Sequence, residues 1–191
     1  MSAGGSRGAG ALAGLPAKDL ALVLGAADFA AHKHRNQRRK DADASPYINH
    51  PITLANILLN EGGVDDARVI AAALLHDTVE DTETSYEELR GRFGARVADM
   101  VMEVTDTKWL HKRARKRLQV SRAARSTHGA KLVKLADKIA NLRDMIAHPP
   151  DGWSLERRQE YFDWAKSVVD QIRGTNLRLE RRFDRIYRQR P

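Results

Sequence analysis

Four ionisable side chains in the stretch ALLHDTVEDTET, residues 73–84, pose a chemical question: His76, Asp77, Glu80 and Asp81 interrupt an apolar run where unpaired charge is costly. If a single helix covers 65–81, these four fall within an arc of roughly 140° at about 100° per residue. Ala71, Ala72, Leu75 and Val79 then lie on the opposite side. His76 with Glu80, and Asp77 with Asp81, are i,i+4 pairs whose side chains stack one turn apart. An imidazole beside carboxylates is ligand chemistry for a divalent cation. A solvated acidic face is the competing reading, because two-residue motifs recur by accident.

Two other positions supply similar groups. In SPYINHP, His50 directly precedes Pro51, which disfavours helical dihedrals at His50 and places it in a turn at a helix entrance, with Pro51 as first helical residue. Capping its own helix is the alternative use of such a histidine. In AKLVKLADKIANLRDM, Leu132, Leu135, Ala136, Ile139, Leu142 and Ile146 make the buried stripe of an amphipathic helix, with Asp137, Asn141 and Asp144 beside it. A carboxylate at that border needs a partner, either a cation or an ion pair with Lys134 or Lys138. Together His50, His76, Asp77 and Asp137 offer two imidazoles and two carboxylates from three helices. Such a mixed nitrogen and oxygen set suits Mn²⁺, Fe²⁺ or Zn²⁺ with a position left for water.

The elements that position these groups are helical. The chain has no convincing period-2 alternation and no internal repeat. Its periodicity predicts helices over roughly 17–34, 51–61, 65–81, 85–91, 94–104, 111–121, 129–147, 154–173 and 175–189. Ser85 and Glu88 have capping-box spacing, and Gly91, Gly94, Gly129 and Gly174 fall at predicted joints. The expected fold is therefore all-α. With 191 residues, 42% of them hydrophobic, the chain is long enough for one core and short for two. Residues 1–16, MSAGGSRGAGALAGLP, are expected to be a disordered tail, leaving 17–191 as the folded domain. The absence of cysteine excludes disulfides and thiolate metal sites. No apolar run approaches the roughly 20 residues of a membrane span, and the N-terminus lacks a signal-peptide core, so a soluble, cytoplasmic protein is expected. The formal net charge of +8 suits anionic partners.

The order His…His-Asp…Asp resembles the HD superfamily of metal-dependent phosphohydrolases. The words RNQRRKDADASPYINHPI, AALLHDTVEDTETS, GAKLVKLADKIANLRDM and EYFDWA are similar to the small alarmone hydrolases related to the hydrolase half of the SpoT and Rel proteins, in their stand-alone, animal-type form. The likeness runs from about residue 26 to 189. It implies an HD-domain helical bundle, one Mn²⁺ per chain, and removal of the 3′-pyrophosphate from guanosine tetra- and pentaphosphate. By the same resemblance His50, His76, Asp77 and Asp137 are the metal ligands, and Glu80 and Asp81 the catalytic pair. Nothing resembles a synthetase half, so degradation of the alarmone without its synthesis is expected.

Such a substrate is polyanionic, and two basic runs are candidates to meet it: Arg38, Arg39 and Lys40, and the run from Lys112 to Arg117. The resemblance implies phosphate, ribose or base contacts for Arg39, Lys40, Lys112, Asn141 and Tyr161. Ala114 and Ala140 depart from residues common in the family, which leaves nucleotide preference open. Arg178, Arg181, Arg182, Arg185 and Arg188 are read as an exposed helical stripe, and Trp153, Phe162, Trp164 and Phe183 as packing residues. The alternative enzyme reading is an HD phosphatase acting on another nucleotide, such as the 2′-phosphate of NADPH. A non-catalytic nucleotide- or RNA-binding module ranks last, since it would be marked by an eroded ligand set. The expected partner is thus a small nucleotide, with no membrane and no nucleic acid.

Overall fold

In a computed structural model that describes residues 16–41 and 43–191, the apolar helix α3 (Ala67–Leu75) packs against helices on several sides. Eight of its nine residues are buried, and its run of alanines lets neighbouring backbones approach closely. Around it stand α1 (Ala17–Lys33), α2 (Asn49–Asn56), α6 (Ala95–Val104) and the longest helix, α8 (His128–Ala147). The remaining helices are α4 (Thr78–Asp81), α5 (Tyr86–Phe93), α7 (Lys112–Ala123), α9 (Leu155–Asp170) and α10 (Leu177–Tyr187). Among the described residues there is no strand, only an isolated bridge between Arg38 and Pro46, so the fold is all-α. The predicted tail lies outside the described residues except for Pro16.

Side-chain chemistry sets most helix starts. Asp66, Ser85, Thr127, Ser154 and Asn176 each accept a backbone N–H from the first turn that follows. At Ser85 only half of the predicted capping box forms, because Glu88 turns away to pair with Lys33 at 3.0 Å. Gly94 adopts a φ of +84° between α5 and α6, a conformation that an L side chain disfavours. Gly91 and Gly129, by contrast, lie inside helices. At Gly129 a Cβ would collide with the Met100 sulfur, so its absence permits close packing of α8 on α6.

Three sequence expectations are corrected. The predicted helix over 65–81 breaks at His76–Asp77. Two side chains take carbonyls that a continuing helix would use: His76 Nδ1 contacts Ala73 O at 2.9 Å, and the Thr78 hydroxyl donates to Leu75 O at 2.7 Å. The second helix begins at Asn49, two residues ahead of Pro51, so His50 is helical. Its N–H bonds Tyr47 O at 3.0 Å, and Pro51 still sits in the first turn, where no intrahelical donor is required. On α8, Ile146 is 39% exposed and Met145 takes the place expected for it in the core. α2 runs on into a π-helical turn, Ile57–Glu61, where Glu61 receives both terminal nitrogens of Arg143 and ties the turn to α8.

Candidate metal centre and adjoining cleft

His50 from α2, His76 from the α3–α4 junction and Asp137 from the middle of α8 each offer a ligand atom, all mutually within 4.8 Å. Both histidines are buried, at 4% and 6% exposure. Asp77, the fourth candidate, is not in that mutual set but touches it: its Oδ2 lies 2.9 Å from His76 Nε2 and accepts the phenol proton of Tyr47. Asp137 is shared three ways, with His50 Nε2 at 3.4 Å, Asn141 Nδ2 at 2.5 Å and the buried Lys138 ammonium at 2.8 Å. The ion pair weighed as an alternative to a cation is therefore formed by Lys138, while one carboxylate oxygen still faces the imidazole.

The donor set fits a cation. The Ala73 carbonyl can only accept, so His76 Nδ1 carries the hydrogen and a neutral ring aims its Nε2 lone pair at the Asp77 carboxylate. Two acceptors at that separation need a positive centre between them. A backbone carbonyl holding the other ring nitrogen is also the usual support of a metal-bound histidine. A proton can fill the same role: burial opposes a charge on His76, yet Asp77 and Asp137 pull its pKa up to about 9. Burial likewise works against ionised Asp77, but His76, His50 and Tyr47 hold its carboxyl below the ordinary range. For Asp137 burial is outweighed by Lys138 and by His50 and His76, again holding the acid ionised.

Glu80 and Asp81 border the same small cavity of about 230 Å³. Glu80 accepts the Asp106 N–H at 3.0 Å and has Arg115 at 3.6 Å. Burial, assisted by the neighbouring Asp106, Asp77 and Asp81 charges, raises its pKa. Asp81 pairs with Lys108 at 2.5 Å, and its carbonyl accepts from Gln37 at 2.7 Å. Because α4 is offset from α3, the catalytic candidates are presented from a separate short helix.

A cleft of about 580 Å³ adjoins this cavity and shares Arg39, Tyr47, His50, Asn141 and Tyr161 with it. Arg39 pairs with Asp144 at 2.5 Å, and exposed Lys40 lines the cleft. Lys112 does not line that cleft; it lies 5.6 Å from the ring centre of Trp153, which separates the cleft from a further basic hollow. Phe162 and Phe183 are fully buried, and Trp153 and Trp164 pack half-buried against the core while also lining cavities under stacked cations, with Lys138 4.4 Å above Trp164. Tyr47 and Asp106 escaped the sequence reading, and Lys138 entered it only as a possible ion-pair partner of Asp137. Neither Tyr47 nor Asp106 carries a local sequence signal, since each acts on a residue far along the chain.

A histidine from one helix, a His-Asp pair from a helix junction and an aspartate from a third helix meet in the order that the sequence shares with HD proteins. The chain belongs to the HD domain family, whose pattern matches residues 26–163. It is 56% identical to human guanosine-3′,5′-bis(diphosphate) 3′-pyrophosphohydrolase MESH1 over 172 residues, spanning 90% of this chain and 96% of that protein. It is 54% identical to the Drosophila melanogaster protein of the same name, over 85% of this chain and 90% of the relative. A solved structure described as a metazoan ortholog of SpoT that hydrolyzes ppGpp superposes with a TM-score of 0.86 at 52% identity, covering 89% of this chain and 96% of that one. No helix among the described residues is long and apolar enough to cross a membrane.

Proposed function

We propose that this chain is a metal-dependent hydrolase that removes the 3′-pyrophosphate of guanosine tetra- and pentaphosphate, consuming one water and releasing pyrophosphate with guanosine di- or triphosphate. The observation that carries the reading is the convergence of His50, His76 and Asp137 within 4.8 Å, beside a half-buried Glu80, in a chain 56% identical to a protein named for that reaction. His50, His76, Asp77 and Asp137 would hold one Mn²⁺, whose Lewis acidity would activate water near neutral pH and offset charge on phosphoryl oxygens.

The chain's own groups do the rest. Glu80, with its pKa raised by burial, exchanges a proton with the attacking water or the departing oxygen. The Asp106 N–H and Arg115 hold its carboxylate in place. Asp81, fixed by Lys108, orders that end of the network. Tyr47 orients Asp77 by its phenol hydrogen bond, and Lys138 and Asn141 orient Asp137. Arg39, Lys40, Asn141 and Tyr161 bind the nucleotide in the cleft, with Lys112 serving a phosphate beyond Trp153. The partner is a small nucleotide met in the cytoplasm, in keeping with a cysteine-free chain.

The test is product analysis with Mn²⁺-loaded protein on guanosine tetraphosphate and NADPH side by side. Release of pyrophosphate from the first is expected. Exclusive release of orthophosphate with NADH from the second would replace this reading with the alternative phosphatase.

A further inference from the structure

Lys134 sits one turn ahead of Asp137 and Lys138 on α8 and is only 8% exposed. Lys138 is equally deep but has Asp137 at 2.8 Å. Lys134 differs in making no ion pair and no side-chain hydrogen bond among the described residues. Burial lowers its pKa to about 8, and the Lys138 charge adds to the effect, while Asp106, Asp137 and Glu103 act against it from a distance. An apolar side chain of similar length would fill this position without the desolvation cost of an unpaired ammonium. A largely buried side chain whose ammonium opens onto two cavities and is paired by no described residue points to a partner that arrives with a ligand.

The surroundings indicate which ligand. Lys134 and Gln119 form part of the wall of two cavities. One is the catalytic cavity that holds His50, His76, Glu80 and Asp137. The other, also about 230 Å³, lies on the far side and is lined by Arg115, Arg122 and Arg125 against a single acid, Glu103. Arg122 and Arg125 are exposed and make no ion pair among the described residues, and the buried Nε of Arg115 has no hydrogen-bond partner. Lys134 thus joins the catalytic cavity, whose wall also carries Asp77, Glu80, Asp81, Asp106 and Asp137, to a second hollow rich in arginine, and that basic side suits a compact polyanion.

We propose that Lys134 is an anion-binding residue of the catalytic cavity, where it holds a phosphate-class anion of the reaction, and that the Arg115, Arg122 and Arg125 hollow continues that anion site. The proposal rests on the hydrolase reading above for the choice of phosphate chemistry. The anion is either the inorganic product or a phosphate still attached to the nucleotide.

The experiment uses the full Mn²⁺-loaded chain and compares Lys134→Met and Lys134→Arg with the parent protein. Calorimetry with inorganic pyrophosphate gives the anion affinity, and steady-state kinetics with guanosine tetraphosphate give KM and kcat. Lys134→Met is expected to weaken a phosphate-class contact about tenfold or more while keeping Tm at or above that of the parent, and Lys134→Arg to retain most of the affinity. A weaker pyrophosphate affinity with KM unchanged identifies the released product as the anion; a raised KM with pyrophosphate affinity unchanged identifies the substrate's own phosphate. If neither changes, or if Lys134→Met loses its fold, the proposal is overturned, since the ammonium is then idle or structural. The exposed pair Arg122→Ala/Arg125→Ala is expected to weaken pyrophosphate binding about threefold, roughly what loss of long-range attraction from two solvated charges gives; no change removes the second hollow from the site. Lys134-dependent pyrophosphate binding without turnover of guanosine tetraphosphate would sink the hydrolase reading alone, and turnover with both KM and pyrophosphate affinity indifferent to Lys134 would sink this proposal alone.

Discussion

Replacing Tyr47 with phenylalanine removes one O–H and leaves the ring. In the parent protein that hydroxyl donates to Asp77, and the ring packs 4.9 Å from His34 and 6.1 Å from His50, centre to centre. Burial, with the Asp77 charge beside it, pushes the phenol's pKa well above the usual tyrosine range, so it remains a donor at any working pH. A hydrogen bond to a charged group contributes about 1.5–3 kcal/mol. Loss of a group that orients a metal ligand costs about 10- to 100-fold in affinity, which is about 1.4–2.7 kcal/mol. The two estimates overlap, so Tyr47→Phe is expected to weaken Mn²⁺ binding about 10- to 100-fold. The metal-free protein should lose about 1.5–3 kcal/mol of stability, because ring packing survives but the Asp77 carboxylate loses a donor. Titration of Mn²⁺ followed by the electron paramagnetic resonance of the free ion measures the first quantity, and thermal unfolding without metal the second. Unchanged Mn²⁺ affinity in a folded variant would refute the role given to Tyr47, and with it the place of Asp77 in the centre.

Glu80→Gln keeps the shape of the side chain and its contact with the Asp106 N–H but cannot exchange a proton; kcat is expected to fall about 10²- to 10⁴-fold while Mn²⁺ affinity stays within a few-fold, and retained turnover would end the assignment. Because burial raises the Glu80 pKa and the base must be ionised to act, the acidic limb of kcat in the parent protein is expected above the ordinary glutamate value of 4.5, with activity lost as pH falls through it. At Glu61 the sign is reversed: the Arg143 hydrogen bonds hold its folded-state pKa below 4.5, so its stabilisation is fully present above that value and is lost as pH falls through the lowered one. Denaturant unfolding of Glu61→Gln should show a deficit of about 1 kcal/mol at neutral pH that vanishes in acid; a deficit that persists there would contradict the pairing.

Helical periodicity made most of the architecture legible, because α8 is long enough for an apolar stripe to dominate every competing signal, while α3 reads as a short unbroken apolar run. The break after Leu75 was hidden because neither glycine nor proline causes it. The His76 ring and the Thr78 hydroxyl compete with the backbone for two carbonyls, and that competition is settled only once both are buried. His50 and Asp137 were readable as residue types that are expensive to bury unaided. Their supporting groups were not, since Tyr47 reaches Asp77 across 30 residues and Asp106 reaches Glu80 across 26. Lys112 was read as a substrate contact from its basic run and from resemblance, and it lies over Trp153 on the wall of a neighbouring hollow.

The central claim is that His50, His76, Asp77 and Asp137 gather around one divalent ion. An anomalous difference map from crystals grown with Mn²⁺ tests it most directly. A single strong peak within ligand distance of His50, His76 and Asp137 is expected, with Asp77 completing the set. No peak there, or a peak held by other side chains, would contradict the account.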